Sequence, residues 1–306
     1  HGHITADSLP GAYTVFRVEL FKGKSHFGEN AAFDETLPTN YLADEVIDDN
    51  KVNELLAKKY NETIVIAEDD SEILAYLKDE LSTNFRVIAV NNGYDAVKAV
   101  MDDEVSLILS DVLMPALNGF QLCSNIKSNI ATCHIPIVLL TALSDDNQRI
   151  YGIAEGADEY IHKPFNMQYV RLKIIRIIEE RKRLASTFAQ KFGRLTRHEA
   201  ANLPCVDDVF RDKLFNLIEA QHSDSNFKIE LMSDMLGMSR ILLYRKITSI
   251  FGMSPSDLLR NYRLQKAVQL LTDQRRNVSE VAYIVGFSSP AYFAKCFKSV
   301  YNMTPT

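Results

Sequence analysis

Between Thr63 and Ile161 five short apolar runs alternate with amphipathic stretches, and this alternation restricts the fold more than any other feature of the chain. The runs are Thr63 to Ala67, Arg86 to Val90, Leu107 to Ser110, Ile137 to Leu140 and Glu159 to Ile161. Short apolar segments separated by helix-length amphipathic ones read as parallel strands, because consecutive parallel strands need a long crossover and a helix supplies it. The expectation is five strands and five helices, with both faces of the sheet covered.

In a sheet of this kind, chemistry collects at the carboxyl ends of the strands. Here the first run ends in Glu68-Asp69-Asp70, the third in Asp111 within SDVLMPALNG and the fourth in Thr141, while the fifth leads to Lys163 within IHKPF. Carboxylates converging on one edge repel each other, and a hard divalent cation with oxygen ligands relieves that repulsion, so Mg2+ is expected. A carboxylate held there can attack a phosphoryl group, with the ammonium of Lys163 and the hydroxyl of Thr141 meeting the charge on the phosphoryl oxygens. A single loop aspartate is most often only solvated; the ordered set is what points to chemistry.

The segments IAEDDSEIL, SDVLMPALNG, LLTA and DEYIHKPF, in this order over about 105 residues, resemble the response-regulator receiver domain. That resemblance implies a flavodoxin-like α/β fold with a five-stranded parallel sheet and phosphorylation of Asp111. It implies Mg2+ held by Glu68, Asp69, Asp111 and the Leu113 carbonyl, and contacts from Thr141 and Lys163 to the phosphoryl group. It also implies a cis Lys163-Pro164 bond and a switch in which Thr141 moves toward the phosphate while Tyr160 turns inward. Glu68 stands where this family often has Asp, which lengthens one acidic arm. A haloacid-dehalogenase-type phosphatase would need an acid two residues past the nucleophile, and that position is Leu113.

Charge is segregated along the chain. Its net charge of -6 hides seventeen acids against six bases from Asn61 to Phe165, and five acids against eleven bases from Lys228 to Thr306. The C-terminal part alone therefore suits a polyanion. Within it, Ile229, Met232, Ser233, Leu236, Gly237 and Met238 recur 49 residues later as Val278, Val281, Ala282, Val285, Gly286 and Phe287. Past the turn the offset is 50: Leu243, Arg245, Ile247, Ser254 and Pro255 match Phe293, Lys295, Phe297, Thr304 and Pro305. Each unit reads as a helix, a glycine turn and a second helix capped by Ser239 or Ser289, an all-α pair of helix-turn-helix motifs. Small Ser233 and Ala282 suit a close helix crossing, and Ser254-Pro255 opens a long helix between the units. Leu243, Ile247, Phe293 and Phe297 read as core.

RNYRLQKAVQLL and VAYIVGFSSPAYFAKCFK, within roughly 100 residues, resemble the AraC/XylS-type regulator domain. By position, that resemblance assigns DNA reading to Arg240, Ile241, Tyr244 and Arg245 in the first unit and to Ala291, Tyr292 and Lys295 in the second. Two such helices would enter successive major grooves about 34 Å apart. The chain stops at Thr306, where this family continues into a final supporting helix.

The stretch QYVRLKIIRIIEERKRL extends the last receiver helix toward Leu184, and Pro204 marks a boundary. HGHITADSLPGAYTVFRVEL reads as two strands and resembles the end of a histidine-kinase ATP-binding domain without its ATP-holding boxes. The expected organisation is a kinase remnant at 1–42, a linker at 43–60, a receiver at 61–184, a linker at 185–205 and an AraC-type domain at 206–306. Cys123, Cys133, Cys205 and Cys296 form no metal or disulfide pattern, no apolar run approaches the roughly 20 residues that span a bilayer, and the opening HGHITADSLP lacks the charged-then-apolar layout of a signal peptide. A cytoplasmic chain without membrane contact is expected, not itself an enzyme, read as a piece of a longer hybrid kinase. Its expected partners are a histidine-kinase module of the same or a partner chain, a second copy in a homodimer, and a direct-repeat DNA operator. The competing expectation is a kinase or phosphatase fragment whose receiver relays phosphate or acts as a scaffold without DNA.

Overall fold

The computed structural model describes residues 2–9, 13–20, 49–142, 156–192, 207–272 and 276–305. The chain divides into two compact units, His1–Asp48 and Asp49–Thr306. In the first, β1 (Gly2–Leu9) and β2 (Tyr13–Leu20) form an antiparallel ribbon in which Gly2 faces Leu20 and Leu9 faces Tyr13. Both expected strands are present, the first longer than the ITA core that suggested it.

The second unit opens with α1 (Asp49–Ala57) and continues through β3 (Thr63–Ala67), α2 (Ser71–Ser82), β4 (Arg86–Val90), α3 (Gly93–Asp102), β5 (Leu107–Asp111), α4 (Gly119–Ser128), β6 (Ile137–Thr141), β7 (Glu159–His162) and α5 (Met167–Phe192). The five strands are parallel in the order β4-β3-β5-β6-β7. Period-2 geometry divides each central strand between two cores. Ile64, Ile66, Leu107, Leu109, Val138 and Leu140 face α2 and α5, whereas Val65, Ala67, Ile108, Ile137 and Leu139 face α3 and α4. Both faces are thus covered, which is why these strands read as unbroken apolar runs. The expected helix between β6 and β7 falls on residues outside those described, as does the boundary expected at Pro204.

Polar caps set the helix starts. Asn92 caps α3, and Asn118 opens α4 in a capping box with Gln121. The last receiver helix, α5, does not stop near Leu184. It continues to Phe192, where Phe188 and Phe192 enter the aromatic core of the following helices with Phe210, Phe215 and Phe251. The stretch expected to begin a linker at 185 is therefore helical at its start and apolar on one side.

Those following helices are α6 (Asp208–Gln221), α7 (Ile229–Leu236), α8 (Arg240–Phe251), α9 (Pro255–Thr272), α10 (Val278–Ile284) and α11 (Pro290–Tyr301). The internal repeat survives to the level of single hydrogen bonds. Gly237 and Gly286 both have positive φ (68° and 88°), and the turns close through Met238 N–H to Ser233 O and Phe287 N–H to Ala282 O. Ser239 and Ser289 cap α8 and α11 as expected, and Ser233 and Ala282 are buried at the helix crossings. Leu243, Ile247, Phe293 and Phe297 are core. The long helix α9 serves both units: Leu258, Leu259 and Tyr262 pack into the first, Leu264 and Ala267 into the second.

Candidate functional site

Glu68, Asp69 and Asp111 converge at the carboxyl edge of β3 and β5, with one carboxylate oxygen from each within 4.8 Å of the others. Glu68 and Asp111 are buried and Asp69 is exposed, so the cluster opens to solvent on one side. The third acid of the run does something else: the Asp70 carboxylate accepts from Glu72 N (2.9 Å) and Ile73 N (3.1 Å) and caps α2. From β7, Lys163 reaches back across the edge, its Nζ 2.9 Å from Glu68 and 3.2 Å from Asp111. The Lys163-Pro164 bond is cis, and Lys163 N–H donates to Thr141 O at 2.7 Å, tying the two strand ends together.

These charges perturb one another. Burial pushes the Glu68 carboxyl above the ordinary carboxylate range, Asp111 adds repulsion in the same direction, and Lys163 opposes both. Burial also works against a charged Lys163, but its two carboxylate partners outweigh that and hold the ammonium above its usual range. Three oxygen donors of this kind fit a hard divalent cation such as Mg2+. Asp111 Oδ1 accepts from Val112 N (2.8 Å), which orients the carboxylate.

Thr141 is buried at the end of β6, next to the strand carrying Asp111. Tyr160 is half-buried against the α3 and α4 core, and Leu113 is exposed. One contributor was not singled out in the sequence: Gly119. A Cβ there would come within 2.3 Å of Asp111 O, so only glycine lets α4 start against the strand that carries Asp111. The LNG at the end of its loop was the available signal.

On the helix-turn-helix side, Arg240, Ile241, Tyr244, Ala291, Tyr292 and Lys295 are exposed, with Arg240 paired to Glu230 at 3.0 Å. Arg245 departs from the expectation. Its guanidinium donates to Asp103 O (2.9 Å), Asp102 O (2.8 Å) and Met101 O (3.3 Å), the carbonyls at the end of α3. The next residue, Lys246, is fully buried between Asp207, Cys133 and Ile130 O. The expectation missed Lys246, although Leu243, Ile247 and Ile250 mark the same buried side of α8.

Residues 64–175 match the model of the response regulator receiver domain, and residues 232–306 match that of a helix-turn-helix domain. The chain therefore carries a receiver domain at 64–175 and, after it, a helix-turn-helix domain at 232–306. It is similar to histidine kinase P4 of Formosa agariphila, 35% identical over an alignment of 308 positions that covers 96% of this chain and 22% of that protein. It is also similar to the transcriptional regulatory protein GltR of Pseudomonas aeruginosa, 38% identical over 37% of this chain and 47% of the relative. The chain thus spans well under two thirds of either. Among solved structures, the signal receiver domain of a histidine kinase from Syntrophus aciditrophicus is 34% identical, covering 40% of this chain and 93% of its own with a TM-score of 0.38. Among the described residues no helix is long and apolar enough to cross a membrane.

Proposed function

We propose that this chain is the output end of a hybrid two-component regulator: Asp111 accepts a phosphoryl group, and the paired helix-turn-helix units bind DNA in response. The observation that carries this is the carboxylate cluster of Glu68, Asp69 and Asp111 bridged by Lys163 on the same folded unit as the tandem motifs. Asp111 acts as the nucleophile toward phosphorus. Lys163 and Thr141 meet the charge on the transferred oxygens, and Tyr160 follows Thr141 inward. Glu68, Asp69, Asp111 and the Leu113 carbonyl would hold Mg2+, whose role is to neutralise charge between the carboxylates and the incoming phosphoryl group.

Arg240, Ile241 and Tyr244 on α8 and Ala291, Tyr292 and Lys295 on α11 are the exposed members of the DNA-reading set. A histidine-kinase module, on the same polypeptide or a partner, supplies the phosphoryl group; the likeness to histidine kinase P4 along nearly the whole chain supports this. Homodimerisation would place paired domains on a direct-repeat operator in the cytoplasm, where the DNA is.

The test uses a small phosphodonor with Mg2+ and intact-mass detection. The wild-type chain should gain one phosphoryl group and the Asp111→Asn chain none; equal labelling of both would overturn the assignment. For the DNA role, Lys295→Ala should weaken duplex binding and lower its salt dependence by about one phosphate contact.

A further inference from the structure

Arg245 and Lys246 do not point into open solvent; together they clamp α8 onto the receiver. Helix α3 has no basic residue in its last turn, so its terminal carbonyls lack the cation that a helix C-terminus favours. Arg245 supplies it from the other domain, donating to three successive carbonyls, Met101, Asp102 and Asp103. Lys246 grips the neighbouring loop, donating to Ile130 O and to Cys133 Sγ at 3.2 Å while its Nζ sits 2.6 Å from Asp207. The two loops seized in this way lead into β5 and β6.

The junction is not packed like a core. A cavity of about 350 Å³ lies along it, lined from the receiver by Val105 and His134 and from α8 by Leu242, Arg245 and Thr248. Three buried polar atoms on its lining residues, His134 Nδ1, Thr248 Oγ1 and Glu62 Oε2, lack a hydrogen-bond partner. The contact is thus held by a few directional charged bonds beside a polar-lined cavity rather than by continuous apolar packing. That is the composition of an interface that opens.

We propose that α8 works in two positions, docked on the receiver with Arg245 capping α3, or released with Arg245 on DNA, so that receiver and duplex compete for one guanidinium. This rests on the reading of α8 as a DNA-facing helix. With three of its five N–H donors on carbonyls at the end of α3, the guanidinium is held on the receiver and away from any DNA groove. In the docked position Ile241 and Tyr244 stay exposed, leaving the first unit without its central cation.

The test uses the full chain, phenylglyoxal labelling of arginines, and a random-sequence duplex of about 40 base pairs, since groove and phosphate contacts need no operator. In the free chain Arg245 should react at least about tenfold more slowly than exposed Arg240. Cys133→Arg on the receiver sets a second cation against Lys246 and should release α8. Arg245 should then label like Arg240, duplex affinity should rise several-fold, and the salt dependence should steepen by about one contact. Arg245→Ala in that background should cancel both gains.

Equal labelling of Arg245 and Arg240 in the free wild-type chain overturns the docking. Release of Arg245 with unchanged duplex binding overturns the competition alone, whereas absence of duplex binding by every form overturns the DNA reading and the inference with it. Should Cys133→Arg fail to fold, saturating the wild-type chain with duplex replaces it: Arg245 must remain shielded while the Met101–Glu104 loop becomes faster in hydrogen exchange, and unchanged exchange there counts against the proposal.

Discussion

Lys246 Nζ lies 2.6 Å from Asp207 Oδ2, and the lysine side chain has no exposed surface. The ammonium also sits 4.6 Å from the Phe210 ring centroid, while the same aspartate caps α6 through Phe210 N at 2.9 Å. Burial alone would raise the Asp207 carboxyl, but hydrogen bonds from Cys133, Lys246 and Phe210 N hold it below its ordinary range.

Removing one member of such a pair strands the other. Lys246→Met should lower stability to urea by about 3 to 5 kcal/mol. The double variant with Asp207→Asn, which keeps an acceptor for the cap, should recover at least about 1 kcal/mol of that loss. Additive losses in the double variant would show that the two groups do not act as a pair.

His134 provides a pH window of its own. Burial first, then Lys246 and Arg181, depress its pKa well below the ordinary value, so the folded protein keeps the imidazole neutral. The unfolded chain takes up a proton below about pH 6.5 that the folded chain refuses. The contribution is therefore fully present above that pH and lost as pH falls, by up to about 1.4 kcal/mol per unit. Thermal unfolding between pH 7.5 and 5.5 should show this decline, and His134→Asn should flatten it. The contribution of Asp207 runs with the same sign in a lower window, being lost only as pH drops below about 3.9.

The two turn glycines should differ in tolerance. Gly237 has φ 68° with nothing within 4 Å of an added methyl, whereas at Gly286 (φ 88°) that methyl would stand 2.1 Å from His222 O and 3.0 Å from Arg263 Nε. Gly237→Ala should cost about 1 kcal/mol, the left-handed penalty alone. Gly286→Ala adds a backbone collision and should cost at least twice as much, measured by denaturation midpoint at constant m.

Lys163 should separate metal binding from phosphorylation. Its ammonium neutralises Glu68 and Asp111 from the side, so Lys163→Met leaves those carboxylates facing each other and raises their demand for a cation. Calorimetry should show Mg2+ binding several-fold tighter, while labelling by a phosphodonor slows more than about tenfold because the charge on the transferred oxygens goes unmet. Weaker Mg2+ binding in the variant would contradict this account.

Much of the receiver was legible because its chemistry is tied to strand ends. Once the apolar runs are taken as parallel strands, Glu68, Asp111 and Thr141 must share one edge, and Lys163 must follow the last strand to it. The repeat was legible for a similar reason: a positive-φ glycine, a serine cap and a small residue at each helix crossing are local requirements, and they recur with their neighbours. The run Glu68-Asp69-Asp70 shows the limit of that reading, since the third acid caps α2 rather than joining the cluster.

The amino-acid order by itself determined the sheet, the acidic edge, the two helix-turn-helix units and their cores, because those follow from periodicity and from contacts a few residues apart. Tertiary structure alone decided where α5 ends its work and where Arg245 and Lys246 go. Helical spacing names the face on which a residue lies but not what meets that face. Phe188 and Phe192 have the same period whether they end a linker or fill a core. A guanidinium suited to phosphate suits the open carbonyls of α3 equally well, and only the packing of the two domains selects between them.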